Sequence, residues 1–322
     1  MEIREGQQIK ELHPMKANSF KYADATFEEW QDPKFTYEIK FDGERELLHI
    51  EPNFIAMTGR RVSDVTGHLR EKGLLVPHIT DFDIPELYGT VLDGELMSNV
   101  GFDHLRSIMG SGTPERAIAI QDDTEKLGYI AYDILYYRGD DVTGLPFIER
   151  RRLLHKAVLM MKQYCGIYMD TPIPFEVDEF DIKQLFNTLV VEGQNEGLMR
   201  KELLSPYKLC PGSKRSSGTL KLKKVITTDG IIMGYAYGKG KYNQDKVAKL
   251  LFGQYKDGVL TERASFDGFT GVLIDEITAA PESYVGKVVE IKCNEILKSG
   301  KLRHPKFSRF REDKNAAECI WE

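Results

Sequence analysis

The sequence predicts an α+β fold, with antiparallel sheets in a larger domain and a small β-barrel after it. Strand-like segments (Phe35 to Ile39, Glu46 to Ile50, Val91 to Met97, Tyr129 to Tyr136) are mixed with segments of helical spacing (Phe102 to Met109, Arg150 to Met161, Asp181 to Val190). The two kinds do not alternate strictly, which favours antiparallel sheets over a parallel array. The texture then changes around Lys224. Val225 to Tyr237 reads as a strand entering a turn at Gly238-Lys239-Gly240, Asp245 to Phe252 as a short helix, and Val259 to Ala264, Gly271 to Ile274 and Val288 to Cys293 as further strands. Short strands with Gly-rich turns suit a five-stranded oligonucleotide-binding (OB-fold) barrel. The expected division is a short lead-in over 1–34, a first domain over 35–224 and the barrel over 225–322.

Composition narrows the class. The 322 residues are 41% apolar and 29% charged, as in a globular protein with a real core. No apolar run approaches the ~20 residues of a membrane span, and Met1 to Lys10 is polar, so the expectation is no membrane and a cytoplasmic location. None of the four cysteines (Cys165, Cys210, Cys293, Cys319) forms a C-x-x-C pair, which argues for free thiols rather than structural zinc. The net charge of -6 argues weakly against a nucleic-acid partner, but its distribution argues the other way. Lys208 to Lys224 holds six Lys/Arg and no acid, and Lys298 to Lys314 holds seven against Glu312 and Asp313. A charge run is ordinarily a solvated face, yet such stripes also track phosphates.

Several short motifs carry candidate chemistry, each with a plain structural alternative. Lys40, before Asp42-Gly43, is a surface lysine at a turn or a nucleophile. Attack needs the neutral amine, a state that burial and neighbouring cations favour. Strand alternation puts Glu38 and Lys40 on one face. Glu95, within Val91-Leu92-Asp93-Gly94-Glu95-Leu96, is a hairpin glutamate or a ligand for a hard cation, and Glu196 in Glu196-Gly197-Leu198-Met199-Arg200-Lys201 repeats the theme; two such carboxylates suit Mg²⁺ beside a phosphate. Lys221 and Lys223 share one face of a strand, as edge lysines or as a phosphate clamp. Arg309 and Arg311 alternate with Phe307 and Phe310 ahead of Lys314, as a basic surface or as a guanidinium set for phosphates.

In order and spacing these motifs resemble the covalent nucleotidyltransferase superfamily of DNA ligases, RNA ligases and capping enzymes. The match is K-x-D-G-x-R at Lys40 to Arg45, D-G-E at Asp93 to Glu95, E-G-x-x-x-K at Glu196 to Lys201, K-x-K at Lys221 to Lys223 and R-x-P-x-F-x-R-x-R-x-D-K at Arg303 to Lys314. The last string and the E-G-L-M-R-K form are similar to a compact, virus- or phage-type ATP-dependent DNA ligase. The resemblance implies an adenylation (nucleotidyltransferase) domain ahead of the OB-fold, ATP as the nucleotide, a divalent cation (Mg²⁺) held by Glu95 and Glu196, nicked duplex DNA as partner and a monomer. Lys40 would be the adenylated lysine, with Glu38 and Arg45 on the adenosine. Arg60 would touch nucleotide and the nick 5′-phosphate, Tyr132 would stack on adenine, and Arg215 would contact nucleotide. Lys221 and Lys223 would clamp the α-phosphate, while Arg309, Arg311 and Lys314 would orient the β,γ-phosphates. Gly59 stands where the family usually has Ser, and Thr219 where it usually has Trp. Lys224 to Gly230 is the expected hinge between the domains, with Asp229-Gly230 absorbing the backbone change. Rival readings are an RNA ligase, a capping guanylyltransferase, or an oligonucleotide-binding protein without catalysis.

Overall fold

The computed structural model describes every residue except 1, 5–6, 21–24, 63–66, 210–214, 240–244, 298 and 322. Two units separate, Met1–Leu222 and Lys223–Glu322. The fold is α+β and rich in sheet, as the mixed periodicities predict.

The first unit holds two sheets. The larger runs in the order Asp140–Asp141, Gly128–Tyr137, Thr90–Met97, Glu44–Glu51, Phe54–Val62, Leu69–Glu71, with Met169–Asp170 added in parallel to Gly128–Tyr137. Its central strands contain the predicted apolar segments. Helix Phe147–Cys165 covers one face, because Leu154, Ala157, Val158, Met161 and Cys165 recur at helical spacing. These residues pack with Leu48, Ile50, Leu92, Leu96 and Ile134 in one buried cluster, joined by Leu105 and Ile108 of helix Phe102–Met109. The predicted helix over Asp181 to Val190 is Ile182–Phe186, capped by Asp181 and continued by a wider turn over Asn187–Val191.

The smaller sheet runs Phe175–Glu176, Phe35–Lys40, Gly197–Glu202, Ser216–Lys223, Ala17–Ser19. Tyr37, Leu198 and Leu222 form a core on one side of it with Trp30, Ile182 and Phe186. The opposite side carries Glu38 and Lys201 and faces the larger sheet, since Lys201 Nζ donates to the Tyr132 carbonyl at 2.9 Å. Residues expected as a lead-in are built into this unit. Ala17–Ser19 pairs with Ser216–Lys223, and Trp30 is 1% exposed and packs at 5.6 Å against Phe20 and Phe186.

The chain passes from one sheet to the other between Lys40 and Glu44. Gly43 is required there by close approach: a Cβ would lie 2.1 Å from the Leu96 carbonyl oxygen and 2.7 Å from Glu95 Cγ. Asp93-Gly94-Glu95 is not a hairpin but the middle of strand Thr90–Met97. Gly94 leaves room for the Tyr129 ring, which a Cβ would meet at 2.4 Å.

The second unit is a five-stranded antiparallel sheet in the order Val259–Phe266, Val247–Lys256, Ile226–Tyr237, Val288–Cys293, Lys306–Phe310. It encloses Ile232, Leu250, Phe252, Phe266, Val289 and Ile291. The outer strands meet at an isolated bridge between Asp267 and Lys306, so among the described residues the expected barrel is not closed by a continuous ladder. Two local expectations are reversed. Asp245 to Phe252, read as a helix, lies largely in strand Val247–Lys256, because pairing on both edges outweighs a helix-like spacing. Gly271 to Ile274, read as a strand, opens helix Gly271–Ala279, because Thr270 caps its N-terminus and accepts from Leu273 N–H. Asp229-Gly230 cannot absorb a large backbone change. Both lie inside Ile226–Tyr237, opposite Glu290 and Val289, with the Phe252 ring against Gly230. The three described cysteines, Cys165, Cys293 and Cys319, are free and buried; Cys210 lies outside the described residues.

Glu46 is an acid inside the first unit. It is 1% exposed, its carboxylate lies under Gly59, and Lys72 Nζ stands 3.0 Å away. Burial pushes its pKa up to about 8 despite Lys72. The folded protein therefore holds this proton over a pH range in which the unfolded chain releases it. That contribution to stability is fully present below about pH 4.5 and is lost as pH rises towards 8. Glu46→Gln should melt higher relative to the parent at pH 8 than at pH 5.5 in calorimetry; a constant difference would contradict the burial argument. Gly94→Ala should lose roughly 1–3 kcal/mol, the usual scale of overpacking, read as a lower urea midpoint with an unchanged slope. An unshifted midpoint would contradict the close approach of the Tyr129 ring and the Ile130 carbonyl oxygen.

Candidate active site

Lys40 ends strand Phe35–Lys40, and Gly197 is its register partner on the neighbouring strand. Glu196 precedes that partner, so its carboxylate meets Lys40 Nζ directly; Nζ also donates to the Phe41 carbonyl at 3.4 Å. Two residues back along the strand, Glu38 is 3% exposed and is held by Lys201 Nζ at 2.6 Å and by Arg151 Nη1 at 3.6 Å. Register explains the Lys201 contact, because Lys201 faces Thr36 and Met199 faces Glu38 on the same side of the sheet.

The larger sheet supplies the other wall. Arg45 lies opposite Glu95 across the Glu44–Glu51 and Thr90–Met97 pair, and Asp93 lies on the same side. Arg45 makes a two-pronged contact with Asp93, with Nε at 2.8 Å from Oδ1 and Nη2 on Oδ2. Tyr207 donates to Asp93 Oδ2 at 2.7 Å and accepts from Met15 N–H at 2.9 Å. Tyr132 is set beneath two cations, Arg45 at 5.6 Å and Lys201 at 5.2 Å from its ring centre, and its hydroxyl is 3.4 Å from Glu95 Oε2. Burial pushes the Glu95 pKa up to about 7; Lys40 and Arg45 pull it down, and Asp93 and Glu196 push it further up. Burial also holds the Tyr132 hydroxyl well above the usual phenol range.

Most of the sequence-predicted residues of the first unit thus converge: Glu38, Lys40, Arg45, Glu95, Tyr132 and Glu196. Lys221 alternates with the fully buried Leu222 and so points away from the Trp30 core, and Lys223 ends the same strand. Thr219 is buried in that strand. Arg215 is exposed and donates to the Ala17 carbonyl at 2.8 Å. Arg60 is exposed near the end of Phe54–Val62, and no hydrogen bond or ion pair among the described residues joins it to the cluster. In the second unit, Arg309 is 3.2 Å from Glu290, while Arg311 and Lys314 reach Asp229 at 2.8 and 2.9 Å.

Four residues of the site are absent from the sequence-based assignment. Asp93 and Lys201 lie within quoted motifs and could have been found there. Tyr207 and Arg151 had no local signal; Tyr207 comes to Asp93 from 114 residues away. A buried pair behind them fixes the approach. Arg150 grips Asp133 at 2.8 and 3.0 Å and donates to the Ser205 carbonyl at 2.9 Å, two residues before Tyr207.

Among the described residues no group of three or more His, Cys, Asp or Glu side chains is arranged to hold a metal ion. Glu95 and Glu196 nevertheless suit Mg²⁺, which takes hard oxygen donors and typically one or two carboxylates, with phosphate oxygens and water completing its shell. Among the described residues no helix is long and apolar enough to cross a membrane.

Residues 14–223 match the family model for the ATP dependent DNA ligase domain. The chain is 27% identical over 316 residues to the SPbeta prophage-derived DNA ligase-like protein LigB of Bacillus subtilis, covering 93% of this chain and 99% of that protein. It is 29% identical over 311 residues to a DNA ligase of Archaeoglobus fulgidus, and there spans about half of the relative's length, 52%. Among solved structures, a Lig E DNA ligase superposes with a TM-score of 0.63 at 18% identity, over 94% of this chain and all of that one. The ATP complex of the bacteriophage T7 ATP-dependent DNA ligase superposes with a TM-score of 0.50 at 23% identity, over 93% and 98%. These two likenesses agree with the folds of both units. With a family match over most of its length, on the unit that carries Lys40 and its partners, the chain belongs to the ATP-dependent DNA ligase family, whose function is to seal nicks in DNA.

Proposed function

We propose that this protein joins a 5′-phosphate to a 3′-hydroxyl at nicks in duplex DNA through AMP carried on Lys40. The observation that carries the reading is the meeting of Lys40 with Glu196 beside Glu95, Tyr132 and the Arg45–Asp93 pair, where the two sheets of the first unit face each other. In the first step Lys40 Nζ bonds to the α-phosphorus of ATP, the bond to the β-phosphate oxygen breaks, and pyrophosphate departs. The amine must shed a proton, and Glu196 already accepts from Nζ. Lys221 and Lys223 stabilise charge growing on the α-phosphate oxygens. Tyr132 offers adenine a flat face backed by Arg45 and Lys201, and Glu38, fixed by Lys201, contacts the adenosine. Arg60 and Arg215 add contacts to nucleotide, and Arg60 to the nick 5′-phosphate. Mg²⁺ held by Glu95 and Glu196 would draw charge from the phosphate oxygens.

Arg309, Arg311 and Lys314, carried on the second unit, orient the departing pyrophosphate. In the second step the nick's 5′-phosphate takes AMP from Lys40. In the third, the 3′-hydroxyl attacks that phosphate, and AMP leaves. DNA is held mainly through its phosphates, so affinity falls steeply with salt and ignores sequence. The protein works as a cytoplasmic monomer.

Lys40→Ala should carry no AMP after incubation with radiolabelled ATP and magnesium, whereas the parent should label and pass the label to nicked DNA rather than to a nicked RNA duplex. Label retained on the alanine variant would show that another residue is the nucleophile. Arg311→Ala should slow self-adenylation at least tenfold more than it slows sealing of DNA already carrying 5′-AMP, since only the first step expels pyrophosphate. Equal losses in both assays would remove Arg311 from that role.

A further inference from the structure

The three cations assigned to the departing pyrophosphate are all engaged by carboxylates of their own unit. Asp229 and Glu290 are register partners on adjacent strands, side by side on one face of the sheet. Two carboxylates so placed repel each other unless cations lie between them. Arg309 reaches Glu290 at 3.2 Å, and Ser308 donates to it at 2.8 Å. Arg311 Nη1 is 2.8 Å from Asp229 Oδ2 and 3.9 Å from Glu290, and its Nε and Nη2 grip Asp313 at 2.9 and 2.8 Å. Lys314 Nζ shares the same Asp229 oxygen at 2.9 Å. The other oxygen, Oδ1, is buried and takes no hydrogen bond among the described residues. Gln254 Nε2 ties down the Asp229 main chain, donating to its carbonyl at 2.8 Å and to Thr228 Oγ1 at 3.0 Å. The carboxylate is therefore anchored to the sheet, while Arg311 and Lys314 reach it on long side chains from beyond the last strand.

These contacts have an energetic consequence. If Arg311 and Lys314 turn to a phosphate, the Asp229 carboxylate is left without them in a half-buried place, with Oδ1 still unsatisfied and Glu290 beside it. Leaving such a carboxylate without its cations is costly. We propose that Asp229, seconded by Glu290, is a positioning residue that competes with phosphate for Arg311 and Lys314, and so limits how tightly the protein holds the pyrophosphate end of its substrate. The proposal rests on the reading that these two cations engage that end. It gives the chain a means of letting pyrophosphate go: the departing anion is replaced by a carboxylate built into the same unit.

Binding of inorganic tripolyphosphate to the full chain, measured by titration calorimetry, tests this without any chemistry on Lys40. Asp229→Asn should tighten binding roughly three- to tenfold, the scale of a partly exposed ion pair. Arg311→Ala should weaken it, and adding Asp229→Asn to Arg311→Ala should recover only the smaller part that Lys314 carries. A companion measurement follows AMP release from the preformed lysyl-adenylate, in which a pyrophosphate oxygen attacks the adenylate phosphorus, the P–N bond breaks, ATP forms and the amine regains a proton. There Asp229→Asn should lower KM for pyrophosphate while kcat stays within about twofold. Unchanged or weaker tripolyphosphate binding in Asp229→Asn, or an equal gain in the Arg311→Ala background, overturns the proposal. If Asp229→Asn does not fold, Glu290→Gln provides the comparison, with a smaller tightening expected and a weakening decisive against it. Failure of the parent to label with AMP would refute the functional reading, and calorimetry would still decide the role of Asp229.

Discussion

The structure of the first unit turns on a steric constraint where the chain leaves one sheet for the other. Lys40 is the last residue of a strand in the smaller sheet, and Glu44 opens a strand in the larger one. The three residues between them pass so close to strand Thr90–Met97 that Gly43 has no room for a Cβ. That passage puts Lys40 near Glu95 and lets Arg45, only five positions on, pair with Asp93 from the opposite wall. A side chain at Gly43 would collide with Glu95 itself, so backbone packing and placement of the lysine are one requirement.

Around that crossing, charges are arranged in compensating sets. Lys40 meets Glu196, Lys201 and Arg151 meet Glu38, and Arg45 meets Asp93. Each acid is half-buried or buried, so each needs its cation, and the cations are thereby held in fixed places before any ligand arrives. Glu95 differs because two cations and two acids act on it together, and burial tips the balance towards the protonated form. The second unit uses the same device on its own sheet, where Asp229, Glu290 and Asp313 receive Arg309 and Arg311, the cations we propose for phosphate. A phosphate oxygen and a carboxylate oxygen offer similar acceptors to a guanidinium, so exchange between them needs no new geometry.

Much of the site was legible in the sequence because its chemistry is local. K-x-D-G-x-R puts the lysine and its arginine on either side of one crossing, and D-G-E puts two acids on one strand face with a glycine between them. Strand alternation alone places Glu38 with Lys40 and Lys221 with Lys223. Residues that come from afar were not legible. Tyr207, Arg151 and the Arg150–Asp133 pair enter through tertiary packing, and no spacing in the chain announces them. The residues before Phe35 read as a lead-in because their strands are at most three residues long and their buried side chains, Ile9, Leu12, Met15 and Trp30, belong to no long periodic segment.

By itself, the sequence determined the fold class, the order of the chemical groups and the family, because periodicity and motif spacing are properties of the chain alone. Tertiary structure decided which of two local tendencies won where they competed. Val247–Lys256 became a strand because partners lay on both its edges, and Gly271–Ala279 became a helix because its cap was satisfied and Ile277 found a core. Tertiary structure also decided that Asp229-Gly230 lies inside a paired strand, and that Arg311 and Lys314 meet the Asp229 carboxylate. The physical reason is the same in each case: hydrogen-bond ladders, burial and ion pairing depend on residues distant in sequence, and their free energies exceed the small preferences a short segment carries on its own.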